Sequence, residues 1–178
     1  MRTEALNRVR LVFTLFDANG NGVLEADDFE LMAGRVRDAV PAAEPAAQEA
    51  MAAAFRRYWE TLANEADTNG DGQVDFEEFT ACVLAPERFD AVAAEFARAL
   101  STVGDLRGDG RVGHAEFVGL MLAIGFAPAN IQSLFDALGP DENNRISSAV
   151  WDEAIREYYR PDAGGTLGDL LVAATPVG

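Results

Sequence analysis

The sequence predicts an all-α chain of four helix–loop–helix units arranged in two pairs. Three observations carry that prediction. Apolar residues recur at spacings of three and four, polar glycine-rich stretches interrupt them repeatedly, and prolines punctuate the joins. A chain of 178 residues, 49% apolar and 25% charged, has the composition of a globular protein and the length for a sizeable core.

In the first unit Leu6, Val9, Phe13 and Phe16 line one helix face, and Phe29, Met32, Ala33 and Val36 resume the pattern after a loop that begins at Asp17. Pro41 and Pro45 break helix and mark a linker. Residues 46–66 form a long helix carrying Met51, Phe55, Tyr58 or Trp59, and Leu62; Asp67 then opens a second loop, with Phe76–Leu84 as its exit helix. Pro86 and Glu87 start the next helix, where Phe89, Val92, Phe96 and Leu100 share a face. A third loop begins at Asp105 and leads into Phe117–Ile124; Gly125 and Pro128 turn the chain into helix 129–138. A fourth, irregular loop follows, and Trp151–Tyr159 closes the array. These boundaries divide the chain into a pair at 1–86, a pair at 87–160 and a tail at 161–178. Leu167, Leu170, Leu171 and Val172 give the tail an apolar patch, expected to pack on the body, with a flexible end as the alternative.

The charge narrows the partners. Thirty acids against fourteen bases give −16, which repels nucleic acid phosphates and anionic membranes, so neither is expected as a partner. All fourteen bases are arginine and alanine is abundant, which reads as the coding bias of a GC-rich bacterium. No stretch reaches the ~20 apolar residues of a membrane span, and the first residues lack a signal-peptide pattern. The single cysteine, Cys82, lies on an apolar helix face and is expected to be buried rather than reactive. A cytoplasmic monomer is the expectation.

The loops carry the chemistry. A hard divalent cation takes six or seven oxygens, and a twelve-residue loop supplies them from positions 1, 3, 5, 7, 9 and 12, with the backbone carbonyl serving at position 7. Position 6 needs glycine for a turn with positive φ, and an apolar position 8 lets two loops pair through a short antiparallel bridge. The loop Asp67–Glu78 meets every requirement, with Asp67, Asn69, Asp71, the Gln73 carbonyl, Asp75 (directly or through water) and a bidentate Glu78 as ligands, Gly72 at the turn and Val74 at the bridge. The loop Asp17–Asp28 offers Asp17, Asn19, Asn21, the Val23 carbonyl, Glu25 and Asp28, with Gly22 and Leu24 in their places. Its closing aspartate is one methylene shorter than glutamate. That favours coordination through one oxygen and poorer discrimination against Mg2+.

The third loop, Asp105–Glu116, is a weaker candidate. Asp105, Asp109, the Arg111 carbonyl and Glu116 remain, but Arg107 brings a positive charge to position 3 and Gly113 offers no side chain at position 9. Either Arg107 swings out and leaves a weakened site, or its guanidinium pairs with Asp105 or Asp109 and stands in for the ion. Placing Ile146 at position 8 sets the fourth loop at 139–150. Asp141, Asn143 and Ser147 then fall on ligand positions, but Gly139 and Val150 remove the carboxylates at both ends, so this loop is expected to be metal-free and to pair Ile146 with Val112. Two Ca2+ sites are therefore expected, with a third only if the Asp105 loop binds.

Four such units, two of them degraded, with a long helix before the second loop, resemble the EF-hand superfamily and within it the calerythrin and sarcoplasmic calcium-binding protein family. The likeness runs from about Leu6 to Leu171 and includes the opening Phe16-Asp17-Ala-Asn-Gly-Asn-Gly, the closing Asp28-Phe29 and the apolar tail. The resemblance implies a compact body with units paired one–two and three–four, and a role in calcium buffering or, for bacterial members, calcium signalling. It supports a closing aspartate in the first loop; it does not support Arg107.

A buffer or transporter is the leading expectation, and a sensor acting on an unknown protein target is the alternative. Sensors open methionine-rich grooves, whereas this chain has four methionines including Met1, and its apolar faces are mainly Phe, Leu, Val and Ala. An enzyme is not expected. The only histidine, His114, sits at loop position 10, where an outward surface residue is the simpler reading, and no nucleophile elbow, phosphate loop or zinc cluster is present.

Overall fold

Proline and glycine stops divide residues 3–173, which the computed structural model describes, into α1 (Thr3–Phe16), α2 (Ala26–Ala39), α3 (Pro45–Glu65), α4 (Phe76–Val83), α5 (Pro86–Val103), α6 (His114–Ile124), α7 (Pro128–Ala137) and α8 (Ser148–Tyr158). Two three-residue strands, β1 (Arg111–Gly113) and β2 (Arg145–Ser147), and a closing 3-10 helix, Leu167–Leu171, complete the described chain. Pro45, Pro86 and Pro128 each stand in the first turn of a helix, where a missing N–H costs nothing.

Every exit helix starts at loop position 10: Ala26, Phe76, His114 and Ser148. The sequence places the start of α6 at Phe117 and of α8 at Trp151, three residues later. In the first two loops the physical reason for the earlier start is visible, because the closing carboxylate at position 12 must lie in the first helical turn to accept the N–H of position 9. Asp28 accepts from Glu25 at 2.9 Å and Glu78 from Asp75 at 3.1 Å.

The loops meet in pairs. Leu24 and Val74 exchange backbone hydrogen bonds of 2.9 and 3.0 Å as an isolated antiparallel bridge. In the second pair β1 and β2 are antiparallel with Val112 opposite Ile146, the register that sets the fourth loop at 139–150. All four bridge residues are fully buried, so each pair is held by apolar contact as well as by hydrogen bonds.

A shared aromatic core joins the halves. Tyr58 on α3 meets Phe16 of α1 at 5.2 Å between ring centroids and Phe89 of α5 at 4.9 Å, and Phe89 meets Tyr159, just past α8, at 5.2 Å. Phe55 and Phe96 pack edge-on at 5.2 Å beside them. The Tyr58 and Tyr159 hydroxyls lie 3.3 Å apart in the interior, and burial pushes both phenols up, Tyr159 to about 12. In the second half Trp151 meets Phe117 edge-on at 4.8 Å between ring centroids. Helices, core and bridges together form one compact all-α body.

The segment after α8 is tied down by polar groups. Arg8 of α1 is completely buried; its guanidinium donates to the carbonyls of Tyr158, Arg160 and Ala163 and to Asp169 Oδ1 at 2.5 Å, while the Tyr158 hydroxyl donates back to the Arg8 carbonyl. Asn130 of α7 donates to the carbonyls of Leu171 and Ala173. Leu171 is buried over an apolar cavity of about 50 Å³ lined by Val12, Phe96, Leu134 and Trp151. The tail expectation also covers residues 174–178, which lie outside the described residues.

Candidate metal centre

The loop Asp67–Glu78 is drawn into a ring by its own oxygens. Asp67 accepts the N–H groups of Gly70 and Asp71 on Oδ1 and of Gly72 on Oδ2, at 2.8 to 3.2 Å. Asn69 Oδ1 accepts from Asp71, and Asp71 Oδ1 from Gln73. Gly72 has φ +77°, the left-handed turn that position 6 requires. Glu78 closes the ring: Oε1 accepts the N–H and hydroxyl of Thr68, and Oε2 accepts the N–H of Asp75. The last ligand position thus lies beside the first.

The loop Asp17–Asp28 repeats the frame. Asp17 accepts from Asn21 and from Gly22 (φ +88°), Asn19 Oδ1 accepts from Asn21, and Asn21 Oδ1 from Val23. Asp28 closes this ring through the N–H groups of Asn19 and Glu25. It is fully buried, and burial, helped by the nearby Asp17 carboxylate, raises its pKa above the usual range. A buried carboxylate beside another one is a strong partner for a cation. Glu25 is held by Gln73 Nε2 from the second loop and by Asn21 Nδ2, each at 3.0 Å, and these hydrogen bonds, Gln73 first, lower its pKa.

Among the described residues no three Asp, Glu, His or Cys side chains stand together as a ready-made metal cluster. The loop carboxylates accept backbone N–H groups that hold the turns. The donor chemistry nonetheless fits a hard divalent ion. Asp17, Asn19, Asn21, Glu25 and Asp28 with the Val23 carbonyl, and Asp67, Asn69, Asp71, Asp75 and Glu78 with the Gln73 carbonyl, are oxygen donors at the required offsets on loops already turned and closed.

The third loop differs, and of the two alternatives for Arg107 the structure shows it swung out. Asp105 keeps its role, accepting the N–H groups of Asp109 and of Gly110 (φ +80°). Arg107, however, is exposed, with no ion pair or side-chain hydrogen bond among the described residues. The cation in this loop comes from the fourth one. Arg145 makes a bidentate pair with Asp109, both bonds at 2.7 Å, and donates from Nη2 to the Arg111 carbonyl at 3.1 Å. Of the weak third-loop candidates, Asp109 and the Arg111 carbonyl are therefore already engaged. Glu116 folds over Gly113, where a Cβ would collide with its carboxylate. The Arg145 guanidinium holds the Asp109 carboxyl down at about 2.

In the fourth loop Asp141 Oδ1 accepts from Asn143 and Arg145, and Asn144 supplies the left-handed turn at position 6 with φ +60°. Asparagine adopts this conformation more readily than most non-glycine residues. Nothing replaces the carboxylates missing at Gly139 and Val150. His114 is half-buried rather than outward: Nε2 meets Gln132 Oε1 at 2.8 Å and the ring packs on Phe135. Cys82 is buried, and burial pushes its thiol up to about 11.

Sequence reasoning missed the side chains of Arg145, Arg8 and Gln73. For two of them a signal existed. Position 7 of the later loop faces position 9 of the earlier one across each bridge, which sets Gln73 against Glu25 and Arg145 against Gly113.

Helix–loop–helix units paired through loop bridges, with this donor spacing, define an EF-hand protein. Residues 6–84 match the EF-hand domain pair family. A Streptomyces coelicolor calcium-binding protein to which prokaryotic calcium-mediated regulation is ascribed superposes with a TM-score of 0.72 at 28% identity, covering 88% of this chain and 98% of its own. The sarcoplasmic calcium-binding protein of amphioxus gives 0.68 at 20% identity over 99% and 100%, and the coelenterazine-binding protein of Renilla muelleri gives 0.65 at 18% over 98% and 100%. At those identities the last two show the fold alone. No match is found among curated proteins. The chain carries an EF-hand domain pair at residues 6–84 and has the fold of these calcium-binding proteins.

Proposed function

We propose that this protein binds two Ca2+ ions, at Asp17–Asp28 and Asp67–Glu78, and acts as a cytoplasmic bacterial Ca2+ buffer or transporter that works as a monomer without catalysing a reaction. The observation that carries the proposal is the Asp67–Glu78 loop: every ligand offset holds an oxygen donor, and Glu78 already bridges the two ends of the ring. When bound, the ion supplies the positive charge on which these oxygens converge. Asp67 and Glu78 would hold it from the two ends of the loop, with Asn69, Asp71 and the Gln73 carbonyl between them, and Asp75 would serve at position 9 directly or through a water. In the first loop Asp28 closes with a shorter arm, so Mg2+ competes more effectively there.

The closed body supports buffering. The large apolar residues left exposed, Leu31, Leu122 and Val150, are single positions on different helices. Among the described residues no helix is long and apolar enough to cross a membrane.

A sensor acting on a protein target is the second reading, favoured by the calcium-mediated regulation ascribed to the Streptomyces protein. Dye binding separates the two. A buffer shows no calcium-dependent binding of an apolar dye at full length; a sensor does. Calorimetric titration tests the sites. Two ions should bind the full chain, with one lost in Asp17→Ala and the other in Asp67→Ala, while tight binding that survives both changes would sink the assignment.

A further inference from the structure

We propose that Arg145 is the resident cation of the third loop: a guanidinium supplied by the fourth loop occupies oxygens that an ion would need, and so keeps this hand free of metal. The inference concerns a loop that the two-site reading leaves aside.

The placement is specific. Position 5 of the third loop is Asp109, and Arg145 takes both of its carboxylate oxygens at 2.7 Å. Position 7 contributes the Arg111 carbonyl, and Arg145 Nη2 takes that as well, at 3.1 Å. One side chain therefore engages donors from two ligand positions that a Ca2+ ion would otherwise draw together. A planar fork with fixed N–H directions fits a carboxylate in this bidentate way.

Comparison within the molecule explains why this happens only in the second pair. The two bridges are equivalent, so position 7 of the later loop always faces position 9 of the earlier one. In the first pair those residues are Gln73 and Glu25. A neutral amide meets a carboxylate at 3.0 Å, which holds Glu25 in place and leaves its charge available. In the second pair they are Arg145 and Gly113, paired across β1 and β2. Gly113 offers no carboxylate to hold the arginine, which reaches Asp109 instead. Two departures from the loop pattern, Gly113 and Arg145, thus act as one device.

The consequence is a division of labour. The third and fourth loops hold their paired geometry through an internal ion pair, whatever the Ca2+ concentration. α7 and α8, which flank the fourth loop, can then keep the tail docked, Asn130 by donating to Leu171 and Tyr158 by bonding Arg8, which in turn holds Asp169. Asp141 adds to the same network, with Arg111 Nη1 at 3.8 Å from its Oδ2.

Amide NMR of the full chain tests this loop by loop. Gly22, Gly72 and Gly110 each donate to the position 1 aspartate of their own loop, so each amide reports one hand. On titration with CaCl2, Gly22 and Gly72 should shift in the wild type while Gly110 stays still. In Arg145→Gln the Gly110 amide should respond, with apparent affinity raised about tenfold or more, because a positive charge leaves the donor set. Arg145→Lys keeps the charge and should leave Gly110 silent, an outcome that a purely structural role for the arginine would not produce. A wild-type Gly110 that shifts at the Ca2+ concentration saturating Gly72 would overturn the proposal, as would Gln and Lys variants that behave alike. If Arg145→Gln fails to fold, the wild-type and Lys titrations still decide. Failure of the two-site reading would appear separately, at Gly22 or Gly72.

Discussion

Gln73 serves both N-terminal loops at once. Its backbone carbonyl occupies position 7 of the second loop while its side-chain amide donates to Glu25 of the first. Removing that amide in Gln73→Ala should raise the Glu25 pKa and weaken binding at the first loop; calorimetry on the variant measures it. Asp109 makes a second residue-level prediction. Arg145 lowers its pKa from the model-compound 3.8 to about 2, so the folded state binds its proton less readily than the unfolded chain. The stabilisation from this pair is present above about pH 4 and is lost as pH falls toward 2. Asp109→Asn should remove that part of the acid sensitivity, giving a flatter stability curve between pH 4 and 2 in denaturant titrations. The loop positions of these residues can be read from the sequence, because glycine at position 6 and an apolar residue at position 8 are local requirements. Their partners cannot. Arg145 and Asp109 are separated by 36 residues, and local pattern says nothing about which cation reaches which carboxylate.

At the scale of elements, the lock between α1 and the tail is the feature with the largest expected energy. Arg8 is wholly buried, and Asp169 is the carboxylate paired with it. Asp169→Ala leaves a buried guanidinium with carbonyl partners alone and should destabilise the fold by about 3 kcal/mol, measured by urea unfolding. Gly168→Ala tests the same contact sterically, since a Cβ there would sit 2.6 Å from the Tyr158 ring. The overpacking should cost about 1–3 kcal/mol. The helices themselves were largely legible, since the spacing of Leu6, Val9, Phe13 and Phe16 and the prolines at 45, 86 and 128 are short-range signals. The starts of α6 and α8 were read three residues late, because a helix that begins inside a polar loop has no apolar marker at its first turn. Arg8 lies on the first amphipathic helix and reads as an ordinary surface arginine until the tail, 161 residues away, is placed against it.

The whole molecule joins a half that carries the two proposed metal loops and a half whose paired loops hold an internal ion pair, through one aromatic core around Tyr58, Phe89 and Tyr159. Ions that bind only the folded chain add stability by mass action, about 2.7 kcal/mol per site at 100-fold excess over the dissociation constant. Chelating Ca2+ should therefore lower the melting temperature clearly. Hydrogen exchange should accelerate in α1 to α4 before it does in α6 to α8. The measurement that tests the account most directly is an anomalous difference map from a crystal of the full chain grown with Ca2+. The account predicts an ion inside Asp17–Asp28, an ion inside Asp67–Glu78, and Arg145 still paired with Asp109 in a third loop without one. An ion in the third loop with Arg145 displaced, or no ion in either N-terminal loop, would contradict it.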